Sequence, residues 1–324
     1  KNGNYDFGEI TLGTSTMIIT GGTFSSEPAN EYIAKGYTKE SDNGKWNVVP
    51  DTSKTYVAQV GVNKYESLAD ALAAAEDGDT VKLVGDTTLR SSVEINKSIT
   101  LDLNGKTIHY TGADQKATNP RMSHRALNVT SGTVTIKNGA ITTTVVGTIY
   151  PPQNNPQAEG SEFDAIIVKS GAVVTLEDMN ITINDKHGSC VYVFDGGKAY
   201  ITSGTYINDT TEFDANGTTK AMLLNQADNK PQAIFVSGGT FKGENPANGD
   251  NSHNPSTFLA PDYKSVETST GVWTVSKMTW NEYPEDASVV PSGLVITEYP
   301  QNAFDSSNGK TGTITIKDKD ALLY

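Results

Sequence analysis

Apolar and polar residues alternate along several short stretches of the chain, and each stretch leads into a turn, in most cases one rich in Gly or Asn. This phrase occurs six times, at residues 17–24, 101–108, 134–141, 174–181, 199–206 and 234–241. In every copy the closing apolar residue lies five positions after the last strand residue, as Ile141 does after Ile136. Alternation with a period of two predicts strands that bury one face. The regular spacing predicts stacked, equivalent turns of strand.

A second apolar strand precedes five of the copies, at residues 93–95, 127–129, 166–168, 191–193 and 222–224. One repeat unit is therefore a strand, a tight turn, a strand, a Gly/Asn turn, a short strand and a variable connection. Such a unit has an incomplete core until neighbouring units cover it. We expect the units to stack in register and to form one interior column from Leu103, Ile136, Leu176, Ile201 and Val236.

A short helix is predicted immediately before the first repeat unit. Ser67 is a suitable N-cap and Gly78 is a suitable end. One face of this helix is apolar and consists of Leu68, Ala71, Leu72 and Ala75. That face would close the otherwise open end of the stacked strands.

The chain resembles the pectate-lyase-like superfamily in three consecutive features. They are the predicted helix, the segment Gly78-Asp79-Thr80-Val81 and the segment at residues 99–108, which contains one copy of the motif. More closely, the chain resembles the repeated adhesin-like modules of surface proteins from gut bacteria. The resemblance covers residues 56–277 and implies an all-β fold, a right-handed single-stranded parallel β-helix with an N-terminal capping α-helix. Because this superfamily includes both enzymes and non-catalytic stalks, the resemblance leaves activity open.

A longer repeat predicts the domain boundaries, because the pattern of residues 19–48 recurs at residues 236–275. We expect residues 1–50 to be the C-terminal end of a preceding β-helix module and residues 56–277 to be a complete module. Residues 278–324 would then be a linker or β segment and the start of a following module. The alternative for this tail is a small independent β cap.

Composition narrows the classes of partner. The net charge of −13 argues against nucleic-acid binding, which requires a basic face. No apolar run approaches the roughly 18 residues of a membrane span, so we expect no membrane insertion in this fragment. We expect no cofactor, although weak Ca²⁺ binding by surface carboxylates is compatible with the charge. The one cysteine, Cys190, is predicted to be a small buried hydrophobe.

Candidate binding residues lie on the long polar connections between units, which in-register stacking would bring to one side. They are His124, Arg125, Tyr150, Asp164, Asp185 and His187. A lyase would need Ca²⁺ or a neutralising base there, together with a Lys or Arg that accepts the α-proton. A hydrolase would need converging carboxylates. The paired Asp-Asp and Gly-His-Gly signatures of polygalacturonase-type enzymes are absent, so we assign no catalytic residue and no metal ligand.

The leading interpretation is a non-enzymatic, adhesin-like module of an exported bacterial surface protein, located outside the cell or on its surface. It would act as a rigid spacer, as a surface that binds polysaccharide or host glycan, or as both, with adjacent modules of the same chain as neighbours. Outward aromatic residues such as Tyr192, Tyr200 and Phe235 can stack on sugar rings or pack beneath loops. The alternative is a polysaccharide lyase or glycoside hydrolase that acts in a loop-lined groove. A third reading is a purely structural role in end-to-end assembly.

Overall fold

The structure, a computed structural model, describes residues 4–5, 17–112, 124–144, 163–184, 188–209, 223–226, 231–249, 256–278, 294–298 and 313–316. Within these ranges the protein is predominantly β-stranded, and most strand pairs of its two largest sheets are parallel. The prediction of an all-β fold with parallel sheets is therefore confirmed.

The strands and the helix are as follows. The first part of the chain contains β1 (Asn4–Tyr5), β2 (Gly22–Phe24), β3 (Tyr37–Asp42), β4 (Lys45–Pro50), β5 (Ala58–Val60), β6 (Asn63–Tyr65), α1 (Leu68–Ala74), β7 (Thr80–Leu83), β8 (Thr87–Leu89), β9 (Val93–Ile95), β10 (Thr100–Asp102) and β11 (Thr107–Tyr110). The middle part contains β12 (His124–Val129), β13 (Thr133–Thr143), β14 (Phe163–Val168), β15 (Val173–Ile183), β16 (Val191–Val193), β17 (Lys198–Ile201), β18 (Gly204–Asn208) and β19 (Leu224–Gln226). The last part contains β20 (Ile234–Val236), β21 (Gly239–Lys242), β22 (Tyr263–Ser269), β23 (Val272–Lys277), β24 (Leu294–Glu298) and β25 (Thr313–Ile316).

The chain alternates between two sheets as it advances. The smaller sheet has the strand order β19-β16-β14-β12-β9, and every pair in it is parallel. After each of these strands the chain enters the larger sheet, in which β7, β10, β13, β15, β17 and β20 follow one another in parallel register. Strands that lie tens of residues apart in sequence are thus direct neighbours. The predicted repeat unit, with one strand upstream of five of the copies, matches this alternation.

The interior column of the larger sheet differs from the prediction at one position. It runs through the fully buried Val81, Leu101, Ile136, Leu176, Ile201 and Val236. The expectation that Leu103 belongs to this column was wrong, because Leu103 is where a turn begins and accepts a hydrogen bond from the Lys106 backbone at 2.7 Å. Leu103 is buried instead against Gly139, where an added Cβ would lie 2.3 Å from the Leu103 Cβ atom.

The interior column of the smaller sheet ends on a polar residue. Ile95, Val129, Val168 and Val193 lead in register to Gln226, which is also buried. The sequence placed this strand at residues 222–224, whereas β19 is Leu224–Gln226. The amide of Gln226 is satisfied locally, since its oxygen accepts from the Ala233 backbone at 2.7 Å and its nitrogen donates to the Pro231 carbonyl at 3.1 Å. Because both ends of its amide form hydrogen bonds, Gln226 can be buried, and it interrupts the alternation of apolar residues from which the strand was predicted.

Helix α1 begins as predicted. The Ser67 hydroxyl accepts a hydrogen bond from the Asp70 backbone at 3.1 Å and caps the first turn. The predicted apolar face is buried, and the helix packs against β5, β6, β7 and β9. It therefore covers the end of the core at which β7 enters the larger sheet.

The helix ends earlier than predicted, at Ala74 rather than at Gly78. The ammonium group of Lys97 donates to the backbone carbonyls of Ala73 at 2.9 Å and of Ala75 at 2.5 Å. A lysine that donates hydrogen bonds to the last carbonyls stabilises the end of a helix even where no glycine follows it directly. Lys97 lies 22 residues after Ala75, so the local sequence pattern did not predict this contact.

Two segments of the chain form the same antiparallel structure. In the first cap, defined as residues 17–50, β2 pairs with β4 and β4 with β3. In the second cap, residues 236–278, β21 pairs with β23 and β23 with β22. Phe24 pairs with Trp46 in the first cap as Phe241 pairs with Trp273 in the second. The longer repeat is thus a structural repeat, while the three domain boundaries drawn from it stay a prediction. Of residues 278–324, the predicted linker and start of a following module, the structure describes only 278, 294–298 and 313–316.

Candidate functional site

Two of the six predicted binding residues are direct neighbours. Arg125 on β12 and Asp164 on β14 occupy paired positions of the smaller sheet. Asp164 is only 2% exposed, whereas Arg125 is half-buried. These two residues therefore lie side by side in successive units.

The carboxylate of Asp164 forms hydrogen bonds inside the protein. One of its oxygens accepts from the Ser189 backbone at 3.0 Å and from the Ser189 hydroxyl at 2.6 Å. Ser189 is itself fully buried and precedes β16, the next strand of the smaller sheet. Asp164 thus ties one repeat unit to the next. A buried carboxylate held in this way has a structural role.

A buried tyrosine lies beside this pair. The ring of Tyr110 packs against Phe163 with centroids 5.0 Å apart. Burial raises the pKa of the Tyr110 hydroxyl to about 12, although hydrogen bonds from the Ser92 side chain and the Arg125 backbone oppose the shift. The hydroxyl is therefore neutral at physiological pH and acts as a packing and hydrogen-bonding group.

Of the other four predicted binding residues, the structure describes only the backbone of His124. His124 lies on β12 with its backbone paired to Phe163. Tyr150, Asp185 and His187 lie outside the described residues. Among the residues that the structure describes, no three His, Cys, Asp or Glu side chains form a group that could hold a metal ion.

Cys190 has the environment predicted for it. It is fully buried, and its Sγ atom lies 3.6 Å from the carbonyl oxygen of Ile207. Burial raises the pKa of its thiol. The thiol is therefore protonated at neutral pH and acts as a small hydrophobe in the core.

The outer face of the larger sheet carries a continuous row of hydroxyl and aromatic side chains. This threonine–aromatic row consists of Thr80, Thr100, Thr135, Thr175, Tyr200 and Phe235, which pair in register from β7 to β20. Each member follows the alternation that sends its neighbour into the interior column. Five strand spacings of about 4.8 Å give the row a length of about 24 Å.

The row ends in a stacked aromatic pair at the surface. The rings of Tyr200 and Phe235 have centroids 5.2 Å apart and planes inclined by 15°. Tyr200 is 37% exposed, and Phe235 is half-buried. The prediction that both residues point outward is confirmed. A second pair, Tyr192 and Phe194, stacks at 5.1 Å on the smaller sheet, where Tyr192 is half-buried.

The charges beside the row alternate in sign. Lys82, Asp102, Lys137 and Glu177 occupy paired positions on β7, β10, β13 and β15, two residues after the threonines of the row. These four charges sum to zero, although the chain as a whole carries −13. Lys198, two residues before Tyr200, adds one exposed positive charge, so the face is polar and carries charges of both signs, which suits an uncharged, hydroxyl-rich ligand better than a strongly charged one.

The sequence contained the signal for this row. Thr135 and Thr175 stand directly before the interior residues Ile136 and Leu176 within two of the copies, and Thr100 stands directly before Leu101, where a third copy begins. Only the aromatic members were singled out from the sequence. The threonines form a continuous row only because the strands pair in register.

No protein-family model, curated protein or solved structure matches this chain. Within the described ranges, no helix has the length and apolar character needed to cross a bilayer.

Proposed function

We propose that this chain is a non-enzymatic, adhesin-like module of an exported bacterial surface protein, and that it binds polysaccharide or host glycan. In this proposal the two sheets belong to a right-handed single-stranded parallel β-helix of the pectate-lyase-like kind, capped by α1. The module acts as a rigid spacer that presents the threonine–aromatic row outside the cell. Adjacent modules of the same chain continue the structure at its ends.

The observation that carries the proposal is the continuity of the threonine–aromatic row over six strands. Hydroxyl groups repeated at about 4.8 Å match a repeating polymer better than a small compact molecule. An exposed aromatic pair at one end supplies the apolar contact that a sugar ring can stack on. Because the row is built on hydrogen-bonded strands, it is preorganised, which limits the entropy lost on binding.

The environment of Asp164 supports the non-enzymatic reading over the lyase or hydrolase. A catalytic carboxylate must reach the substrate or a water molecule that attacks it. Asp164 is 2% exposed and already accepts two hydrogen bonds from Ser189. It is the one carboxylate of the six predicted binding residues within the described part of the chain.

A glycan array followed by titration with the best polysaccharide tests this proposal. We expect Tyr200→Ala and Phe235→Ala each to weaken binding about 2–12-fold, the range that an aromatic contact of about 0.5–1.5 kcal/mol gives. Tyr192→Ala is the matched control, since Tyr192 also points outward and stacks on an aromatic neighbour, but on the other sheet. It should bind like the wild type.

The same samples should be assayed for new reducing ends and for unsaturated products on a polysaccharide panel. The proposal predicts binding without turnover. Release of either product by the wild-type protein would contradict it and would favour the polysaccharide lyase or glycoside hydrolase.

A further inference from the structure

A cavity of about 360 Å³ lies where the first cap meets the strands and helix that follow it. Its walls come from residues 30–39 of the first cap and from residues 51–70, which include β6 and the start of α1. We call it the junction cavity. Its volume is near the lower end of the range of small-molecule sites in proteins, about 300–1,000 Å³, which suits a ligand of monosaccharide size.

Backbone contacts hold the two sides of the junction cavity together. The Lys64 backbone N–H donates to the Lys35 carbonyl at 2.9 Å, and the Lys35 N–H donates to the Asn63 side-chain oxygen at 2.9 Å. Gly36, with a φ of +89°, lets the chains approach so closely that an added Cβ would lie 2.6 Å from the Lys64 Cβ atom. The cavity is therefore preformed.

Two of the lysines that line the cavity are already neutralised. Lys39 lies 2.5 Å from Glu27, and Lys54 lies 2.6 Å from Glu66. The Asp51 carboxylate on the same wall accepts from the Ser53 hydroxyl at 2.5 Å.

Lys35 and Lys64 are different. The ammonium group of Lys35 lies 4.6 Å from the centroid of the Tyr65 ring, and that of Lys64 lies 5.1 Å from the centroid of the Tyr37 ring. Both tyrosines also line the cavity. Neither lysine forms an ion pair with any residue that the structure describes. The carboxylates of Asp51 and Asp70 also line the cavity, but neither forms an ion pair with these two lysines.

The second cap indicates that the turn of the cap does not require a lysine at the position of Lys35. Its turn has the same backbone contacts, since Tyr263 donates to Ala260 at 3.2 Å as Tyr37 donates to Ala34 at 3.1 Å. At the position of Lys35, however, the second cap has Pro261. A proline is compatible with the same turn, so the backbone conformation does not account for the lysine.

We propose that the junction cavity binds the carboxylate of a monosaccharide-sized acidic sugar, of the uronic acid class. Lys35 and Lys64 hold the carboxylate through charge-assisted hydrogen bonds. The tyrosine side chains add apolar surface and hydroxyl groups for the sugar ring. The site shares no residue with the threonine–aromatic row, so the failure of either proposal leaves the other unaffected.

Isothermal titration of the full chain with glucuronic and galacturonic acid tests the site. We expect millimolar or tighter binding that weakens about tenfold in Lys35→Gln and in Lys64→Gln. The glutamine at position 64 keeps the Cβ and Cγ atoms, so the packing against Gly36 is retained. Lys45→Gln is the matched control, because Lys45 is exposed on β4 of the same cap and lies outside the cavity. Thermal melting of each variant checks that the fold is unchanged.

Neutral glucose and galactose, and inorganic sulfate, complete the experiment. Weaker binding of the neutral sugars and of sulfate than of the uronic acids would support the proposal. The proposal is overturned if the neutral sugars bind as well as the acids, if sulfate alone binds as tightly, if folded Lys35→Gln and Lys64→Gln bind like the wild type, or if no uronic acid binds at millimolar concentration.

Discussion

Single buried polar residues connect the repeat units of this protein. Asp164 is the clearest example, since it reaches from β14 to the backbone and hydroxyl of Ser189, which begins the next unit. Its burial follows from the stacking of the units, because the next unit supplies two donors to its carboxylate. The sequence placed Asp164 on an exposed connection, and no local pattern could have revealed a partner 25 residues away.

Replacing this carboxylate should cost stability. In Asp164→Ala the buried Ser189 N–H loses its acceptor, so we expect the free energy of unfolding to fall by about 1–3 kcal/mol. Urea unfolding followed by circular dichroism measures the change. Glu40→Ala, at an exposed position of β3, is the control and should change the free energy by less than about 0.5 kcal/mol. Equal effects of the two substitutions would refute a structural role for Asp164.

Two buried tyrosines make stability depend on alkaline pH. The pKa of Tyr110 is raised to about 12, and burial also raises that of Tyr206. In the unfolded chain both hydroxyls have a pKa of about 10. Below pH 10 they are neutral in both states and stability is unaffected. Between pH 10 and 12 the unfolded chain loses these protons while the folded chain keeps them, so stability falls as pH rises.

Urea unfolding at pH 8, 9, 10 and 11 measures this effect. Once the pH exceeds 10, each tyrosine should contribute a slope approaching about 1.4 kcal/mol per pH unit. Tyr110→Phe should lose some stability at pH 8 but should show a flatter decline above pH 10. An unchanged slope in this variant would mean that Tyr110 is not buried as described.

At the scale of the strands, close approach between neighbours depends on a few glycines. Gly204 on β18 pairs with Met179 on β15, and its φ of +109° is left-handed. A Cβ at this position would lie 2.0 Å from the Met179 carbonyl oxygen. Glycine is therefore needed here both for its backbone conformation and for the space.

Gly105 separates these two effects. Its φ is +74°, but an added Cβ there would meet nothing within 4 Å. We expect Gly105→Ala to cost only the strain of the left-handed conformation, about 1–2 kcal/mol. Gly204→Ala should cost at least about 2 kcal/mol more, because the overpacked strands must also move apart. Equal losses in chemical denaturation would show that β15 and β18 are not in this contact.

The sequence predicted the strands better than it predicted their alignment. Ile136, Leu176, Ile201 and Val236 lie in one column because each stands at the same distance from its turn. Leu103 does not, because the Asn104-Gly105 turn makes its unit two residues longer between paired positions Leu101 and Ile108. Apolar alternation identifies a buried face, but turn length decides which residue of that face is paired.

At the scale of the whole molecule, the pairing of distant strands creates the surfaces that carry the proposals. The threonine–aromatic row requires six strands in register, and the junction cavity requires the first cap to meet β6 and α1. The repeated motif contained four of the six residues of the row: Thr135, Thr175, Tyr200 and Phe235. It contained no signal for the junction cavity, since the lysines and tyrosines that line it lie outside the six copies of the motif.

The central claim is that successive repeat units lie directly over one another. A crystal structure of the full chain tests it most directly, through the backbone hydrogen bonds of residues 80–236. We predict that Leu101, Ile136, Leu176, Ile201 and Val236 point into one core, with each strand hydrogen-bonded in parallel to the next. Side chains from this set distributed among separate cores, or facing solvent, would contradict the account.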